Sequence, residues 1–211
     1  MKVMKVAIID YNMGNLHSVG RAVKHVAPGG TQVEITADPD FIRHADRIVF
    51  PGQGAARDCM RELETRGLSE IVREVAKTKP FLGICMGMQV LMEFSEENAG
   101  VECMGVYAGK VNYFKHLNIA HLKTPQMGWN QIQQKTAHPL WTGIKDAARF
   151  YFVHSYYVEP TDQSLVSGET FYGLNYASAI AKDNVFAIQA HPEKSAEDGL
   201  RLLANFMQWQ P

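Results

Sequence analysis

Cysteine is scarce in this sequence. The 211 residues include only Cys59, Cys85 and Cys103, an odd count without a CxxC pair. A disulfide framework and a zinc site both need paired or clustered cysteines, so the sequence favours neither, and it favours a reducing compartment. We therefore expect a cytoplasmic protein without a structural metal ion.

Strong charge of one sign and long apolar runs are missing as well. The formal net charge is -1, from 21 basic and 22 acidic residues. This balance gives no electrostatic reason to expect a nucleic acid or an anionic membrane as a partner. No apolar run is long enough to cross a bilayer. Residues 1–10 lack a small-residue cleavage site, so we expect a first strand there and no signal peptide.

The sequence does contain a regular alternation of apolar and amphipathic segments. With 46% apolar and 20% charged residues, its composition is that of a globular domain with a sizeable core. No linker or internal repeat is visible, so we expect a single domain over residues 1–211. The first half is predicted to contain strands Val3–Ile9, Gln32–Ile35, Arg47–Phe50 and Phe81–Ile84, and helices Leu16–Val26, Asp38–Ala45 and Leu68–Ala76.

This alternation predicts an α/β fold with a mostly parallel central sheet, helices on both faces and an active site at the carboxyl ends of the strands. Short strands without intervening helices then predict an antiparallel extension. The loop after the first strand lacks GxGxxG, so no dinucleotide site is expected. The later elements are Gly105–Phe114, Asn130–Gln134, Ala148–Val158, Leu165–Thr170, Ser178–Ala181 and Val185–Ile188, with a closing helix Ala196–Trp209.

A nucleophile motif follows the fourth strand. Cys85 has Gly83 and Gly87 two residues away on either side, and a helical pattern begins after it. The pattern G-x-C-x-G is the cysteine counterpart of the nucleophile elbow G-x-S-x-G, in which glycines relieve crowding at a sharp strand-to-helix turn. A helix N-terminus at Cys85 would favour a thiolate and an oxyanion.

A base for this nucleophile stands near the other end of the chain. His191 follows the apolar strand Val185–Ile188, and Glu193 comes two residues later. On an extended chain this spacing places both side chains on one side, so Glu193 would orient the imidazole of His191. The remaining histidines show no ligand spacing, and Cys59 and Cys103 lack glycine neighbours and are expected to be unreactive. Those histidines are His17, His25, His44, His116, His121, His138 and His154.

Together, G-I-C-M-G-M-Q and H-P-E resemble the motifs of the class I (triad-type) glutamine amidotransferases. The resemblance implies a flavodoxin-like architecture and a triad of Cys85, His191 and Glu193 that hydrolyses glutamine to glutamate and ammonia. It implies no organic cofactor and no metal. The sequence departs from many relatives at Ala190, where they carry Phe, and this change concerns local packing rather than the chemistry.

The resemblance also implies an oxyanion hole and substrate contacts. The Pro51–Gly54 loop would supply one oxyanion donor from Gly52 or Gln53, and the N–H of Met86 would supply the other; by itself such a loop could be a tight turn without a ligand. The substrate contacts would come from Gln89, the carboxylate of Glu97, and the backbone of Ser155 and Tyr156. Read without the family, Glu97 could lie in a solvated loop, and Ser155 and Tyr156 could end an edge strand.

Four further stretches resemble one branch of the family, which acts in histidine biosynthesis and passes ammonia to a (β/α)8-barrel cyclase subunit. The stretches are D-Y-N-M-G-N-L, P-Q-M-G-W-N, Y-F-V-H-S-Y and H-P-E-K-S. The resemblance makes Asn12, Trp129 and Lys194 candidates for a partner interface. From its sequence position alone, Trp129 could equally fill the core of its own chain.

Other functions remain open at this point. The chain could be a glutaminase of another pathway, such as vitamin B6 synthesis or sugar amination, or a freestanding cysteine hydrolase. It could also be a non-catalytic regulatory subunit, although such a protein would be expected to lose Cys85 or His191. Because glycines flank Gln53, we expect the Pro51–Gly54 loop to stay unproductive until a partner and its nucleotide bind.

Overall fold

The structure, a computed structural model, describes residues 3–114 and 122–211. His116 and His121 lie outside the described residues. The helices are α1 Leu16–Val26, α2 Pro39–His44, α3 Ala56–Thr65, α4 Ser69–Ala76, α5 Met86–Gln89 and α6 Ala196–Gln208. The strands are β1 Lys5–Ile9, β2 Gln32–Thr36, β3 Arg47–Gly52, β4 Phe81–Cys85, β5 Phe94–Ser95, β6 Val101–Glu102, β7 Gly109–Tyr113, β8 Gln126–Gln134, β9 Ala148–His154, β10 Tyr156–Pro160, β11 Val166–Phe171, β12 Asn175–Lys182 and β13 Val185–Ile188.

Five strands form the parallel part of the sheet, in the order β2-β1-β3-β4-β13. β12 pairs antiparallel with β13, and β10, β7, β5 and β6 continue the sheet beyond it. A branch through β11, β8 and β9 is antiparallel throughout. The predicted α/β fold, a mostly parallel centre with an antiparallel extension, is confirmed.

The helices fall into two groups that follow from the strand order. The connection through α1 moves from β1 outward to β2, whereas α2, α3 and α4 accompany moves in the opposite direction toward β3 and β4. Right-handed crossovers therefore place α1 on one face of the sheet and α2–α4 on the other. In agreement, α1 packs against α6, and α4 packs against α2 and α3. Within the described residues, no helix has the length and apolar character needed to cross a membrane.

Helix α3 was not predicted from the sequence, although it buries Cys59, Met60 and Leu63 along one side. The local start signal is missing, because its N-cap is Ala55, which has no side-chain acceptor. The acceptor comes instead from a distant part of the chain. The N–H of Ala56 donates to Oε2 of Glu97 at 2.6 Å. A tertiary cap of this kind leaves no trace next to the helix in the sequence.

Most other predicted elements have different bounds, and two of the differences affect the site. The helical pattern after Cys85 ends at Gln89, because the carbonyls of Val90, Leu91 and Met92 accept from the backbone of residues 104–107 instead of continuing the helix. The predicted strand Ala148–Val158 is two strands, which separate at Ser155 and pair with different neighbours. This break matters for function because it lies beside the cavity described below.

Helix α5 packs on β3 and β4 at very short range, and glycine makes this close packing possible. A Cβ atom on Gly87 would lie 1.8 Å from the carbonyl oxygen of Phe50 in β3. A Cβ atom on Gly83 would lie 2.8 Å from the carbonyl oxygen of Gly87. The crowding expected for a G-x-C-x-G turn is therefore present, and it holds the start of α5 directly over the ends of β3 and β4.

We expect Gly87→Ala to lower the free energy of unfolding by about 3 kcal/mol, because backbone atoms of β3 would have to move. Thermal or urea unfolding of the purified chain measures this change. Gly29→Ala is the matched control, since no atom lies within 4 Å of its added Cβ. The control should remain within about 0.5 kcal/mol of the parent protein. Equal effects of the two substitutions would contradict the close packing.

Candidate active site

Cys85 stands at the point where β4 ends and α5 begins. It is the last residue of the strand and the N-cap of the helix, with φ 55° and ψ -109°. A positive φ is uncommon for a residue with a Cβ and costs on the order of 1–3 kcal/mol. The surrounding structure maintains this conformation and turns Cys85 toward a cavity. Cys85 as a whole is only 4% exposed.

His191 and Glu193 form a buried pair next to Cys85. Nδ1 of His191 donates to Oε1 of Glu193 at 2.9 Å, and the Glu193 side chain is 1% exposed. The sequence analysis assumed an extended backbone between them, and this assumption is wrong. Residues Pro192–Lys194 form a 3-10 turn. The two side chains meet through this turn.

The position of His191 is fixed from β9. Its backbone N–H donates to the carbonyl of Tyr151 at 2.9 Å, and its carbonyl accepts from the hydroxyl of Ser195 at 2.6 Å. The same Ser195 hydroxyl oxygen accepts from the N–H of Tyr151 at 2.9 Å. These three bonds attach the turn at His191 to the antiparallel branch and fix the backbone from which the imidazole projects.

Opposing effects set the pKa of His191. Burial lowers it, but the neighbouring Cys85 sulfur and the carboxylate of Glu193 outweigh burial and raise the pKa to about 10. Nε2 of His191 makes no well-formed hydrogen bond within the described parts of the chain, and the Cys85 sulfur makes the largest contribution that raises the pKa of the ring. The arrangement places a protonated imidazole next to the nucleophilic sulfur, where it can stabilise negative charge.

The predicted oxyanion loop lies against this pair. Gly52 ends β3 directly beside Cys85 in the strand register. A Cβ on Gly52 would meet the hydroxyl oxygen of Tyr11 at 2.0 Å, so the loop packs tightly on that buried ring. The thiol of Cys59 donates to the carbonyl of Gln53 at 3.6 Å. Burial raises the pKa of Cys59 to about 12, so it stays a donor at neutral pH.

A cavity of about 590 Å³ opens in front of Cys85. It brings together nearly all of the residues predicted from the sequence, and it is large enough for an amino acid. Of the predicted residues, Gly52, Trp129 and Glu193 do not line it. Its lining includes Asn12, Gln53, Cys85, Met86, Gln89, Glu97, Ser155, Tyr156, His191 and Lys194.

Glu97 does not lie in an ordinary solvated loop. Its Oε2 caps α3 through Ala56, as described above, and the residue also lines the cavity. Burial raises the pKa of Glu97, and the hydrogen bond from Ala56 partly offsets this effect. A half-buried carboxylate at the cavity wall is suited to a cationic group.

Ser155 and Tyr156 lie at the break between β9 and β10. The carbonyl of Ser155 accepts from the N–H of Phe114 at 3.1 Å. The carbonyl of Tyr156 accepts from the Nδ1–H of His154 at 2.7 Å and from Nε2 of Gln89 at 3.1 Å. Burial lowers the pKa of His154 to about 4, so it is a neutral donor here.

Gln189 is a site residue that the sequence reasoning missed. It is fully buried, and its Nε2 lies 3.7 Å from the Cys85 sulfur. It follows β13 and precedes His191 by two residues. That position next to the base motif is the one signal that could have identified it.

Polar groups elsewhere in the core do not suggest a metal site: within residues 3–114 and 122–211, no three His, Cys, Asp or Glu side chains are grouped to hold an ion.

Of the three predicted interface residues, Asn12 and Lys194 line the cavity, and Trp129 shares the neighbour Tyr151 with Lys194. Asn12 is exposed and has a positive φ of 67°. Trp129 is 44% exposed and lies in β8, so it does not fill the core. Its ring packs edge-on against Tyr151 at 6.1 Å, and Nζ of Lys194 lies 5.8 Å from the centroid of the Tyr151 ring.

Comparison with known proteins identifies close relatives. Residues 7–209 match the family model for glutamine amidotransferase class-I. The chain is 56% identical over 211 residues to the imidazole glycerol phosphate synthase subunit HisH of Dechloromonas aromatica, covering 98% of this chain and 97% of that protein. It is 53% identical to the protein of that name from Thiobacillus denitrificans, covering 98% and 92%.

Solved structures share the fold at much lower identity. The structure of PurLQS from Thermotoga maritima superposes with a TM-score of 0.73 at 16% identity, covering 98% of this chain and 99% of that one. The glutaminase domain of Trypanosoma brucei CTPS with bound acivicin gives a TM-score of 0.65 at 14% identity, covering 99% and 96%.

The protonation of His191 can be tested directly. We expect its imidazole to stay protonated through neutral pH and to lose its proton near pH 10. Cys85→Ala removes the largest effect that raises this pKa, so the pKa should fall by about one unit or more. Titration of the ring protons by NMR measures both values. His138, whose pKa burial lowers to about 4 and which packs on Phe186 and Trp209, is the internal control and should not change.

Proposed function

The chain belongs to the glutamine amidotransferase class-I family, and we propose that it is the glutaminase subunit of an imidazole glycerol phosphate synthase in histidine biosynthesis. The observation that carries this function is 56% identity over nearly the full length of both chains. The chain is an enzyme that hydrolyses glutamine to glutamate and ammonia.

In the first half of the proposed reaction, the Cys85 sulfur attacks the side-chain amide carbon of glutamine. The resulting oxyanion would be stabilised by the N–H of Met86 and by an N–H of Gly52 or Gln53. His191 then protonates the leaving nitrogen, and ammonia departs from a thioester. The raised pKa of His191 suits this role because its conjugate acid is present at neutral pH.

In the second half, water cleaves the thioester. Once the sulfur is acylated, it no longer carries the charge that raised the pKa of His191, so the imidazole can act as a base toward water. Glu193 keeps the ring in one orientation through both halves, since its carboxylate holds Nδ1 and leaves Nε2 facing the reaction.

We propose that the substrate lies between Cys85 and Glu97. The carboxylate of Glu97 would bind the ammonium group of glutamine, and Gln89 would contact the substrate from the helix after the nucleophile. The backbone of Ser155 and Tyr156 would lie along the substrate. All four residues line the same cavity, which supports one continuous binding site.

The chain works as one subunit of a complex. We propose that its partner is a (β/α)8-barrel cyclase that receives the ammonia. An exposed apolar face beside the cavity supports docking of the partner on this side of the chain. Met127 and Phe171 are 65% and 66% exposed, and Trp129 lies between them on adjoining strands. Lys194 and Asn12 complete the rim at the cavity mouth.

We further propose that the partner controls the oxyanion loop. Gly52 and Gly54 flank Gln53, and Gly54 has φ 94°, so a peptide in this loop can turn at small cost. Without the partner, the donor N–H would point away from the substrate, and ammonia would not be released wastefully.

The test of this function is glutamate release from glutamine, measured for the chain alone and with a cyclase barrel subunit and its nucleotide ligand. We expect little activity alone and an increase of about 10²-fold or more in the complex, because one oxyanion donor contributes roughly that factor. Cys85→Ala should abolish activity in both conditions. Full activity of the isolated chain would rule out the partner control, and ammonia production by Cys85→Ala would rule out the nucleophile.

The docking face can be tested separately by Trp129→Ala. Loss of a half-exposed tryptophan at an interface centre should raise the Kd for the barrel subunit about tenfold or more. Titration calorimetry measures the affinity. Val3→Ala is a control on another exposed apolar side chain, located before β1 at the opposite end of the parallel strands. An unchanged Kd for Trp129→Ala would place the interface elsewhere.

A further inference from the structure

Two buried carboxamides connect the strand break at Tyr156 to the nucleophile. Gln89 is 2% exposed and Gln189 is 0% exposed. Nε2 of Gln89 donates to the carbonyl of Tyr156 at 3.1 Å and to Oε1 of Gln189 at 2.9 Å. Nε2 of Gln189 then lies 3.7 Å from Sγ of Cys85. The contacts form one continuous chain from backbone to sulfur.

The direction of this chain is fixed at its backbone end. The carbonyl of Tyr156 can only accept, so the Gln89 group beside it must be the NH2. That NH2 also faces Gln189, which must therefore present its oxygen there. The NH2 of Gln189 is then the group left facing Cys85. Interchanging the amide atoms of Gln89 would place its oxygen against the carbonyl of Tyr156, and interchanging those of Gln189 alone would place two NH2 groups together. Burial makes both mismatches costly.

We propose that Gln189 is a further catalytic residue, whose carboxamide donates a hydrogen bond to the Cys85 sulfur and stabilises the thiolate, while Gln89 fixes its orientation. This assignment rests on the proposed function, in which Cys85 is the nucleophile. It gives Gln89 a second role in addition to its contact with the substrate.

The chemistry of the site explains why such a donor is useful. Cys85 is only 4% exposed, so a thiolate there has little water to solvate it, and α5 has only four residues to contribute a dipole. A neutral amide N–H stabilises the thiolate by a hydrogen bond, and it is too weak an acid to transfer its proton to the sulfur. During attack, the sulfur electron pair forms the thioester bond and this hydrogen bond weakens. When water cleaves the thioester, the departing thiolate regains the bond.

Alkylation of Cys85 by chloroacetamide tests the proposal without glutamine and without a partner. Peptide mass spectrometry separates Cys85 from Cys59 and Cys103. For Gln189→Met, which keeps the side-chain length but has no donor, we expect the pH profile of the alkylation rate to move up by about one unit. The rate should therefore fall about tenfold at pH values where it still rises with pH in the parent protein. The rates at high pH should agree within about twofold, because the sulfur is ionised in both proteins.

Gln189→Glu separates donation from packing. It retains the acceptor that Gln89 needs but places a carboxylate against the sulfur, so alkylation at pH 7 should be slower than in Gln189→Met. A structural role alone predicts similar rates for the parent protein and for any variant that folds. In the active complex, Gln189→Met should lower kcat and leave KM for glutamine within about twofold.

A second variant keeps the test decisive if Gln189→Met fails to fold. Gln89→Met leaves Gln189 in place but releases its orientation, and we expect alkylation to slow about threefold. Thermal unfolding checks each variant. A pH profile of alkylation in a folded Gln189→Met or Gln89→Met that matches the parental profile would overturn the proposal. Alkylation needs no glutaminase activity, so an error in the proposed function would appear separately. In that case glutamate release would be absent, while the Gln189 variants would still change the alkylation of Cys85 as expected.

Discussion

The close contact between α5 and β3 is the constraint on which the site depends. Gly87 lets the helix lie against the carbonyl of Phe50, and this contact forces the chain to turn sharply at Cys85. The turn places the thiol beyond the end of β4, next to Gly52 on one side and Gln189 on the other. Parallel pairing of β3, β4 and β13 aligns the three strand ends, so the Pro51–Gly54 loop, Cys85 and the segment that carries His191 meet at one edge.

Electrostatics in this site works through buried partners rather than surface charge. His191 is surrounded by a carboxylate and a sulfur, and both keep its proton in place although burial opposes it. Glu97 remains at the cavity wall with a backbone N–H as partner, and burial raises its pKa. The low dielectric that makes each charge costly also strengthens each pairing, so the substrate ammonium would meet a carboxylate with little competition from solvent.

The sequence was sufficient for features that depend on local patterns. The alternation of strands and helices predicted the parallel sheet, α1 and β13 were predicted with their observed bounds, and the glycines around Cys85 predicted the crowded turn. Features that depend on distant contacts were missed. Helix α3 has its cap on Glu97, 41 residues away, and Gln189 acquires its role from a sulfur 104 residues away. The break at Ser155 depends on which neighbours the strands pair with, and a single apolar run carries no such information.

The cap on α3 also limits how the oxyanion loop can move. Gly52 is fixed in β3, and Ala56 is fixed by Glu97, so only Gln53, Gly54 and Ala55 lie between two anchored points. Three residues carry six backbone dihedrals, and closure between fixed ends removes most combinations of them. Ordering so few residues costs at most about 3–6 kcal/mol of conformational entropy. A segment this short can rotate one peptide plane but cannot swing open as a lid, so the site would switch by reorientation of an N–H while the cavity keeps its shape.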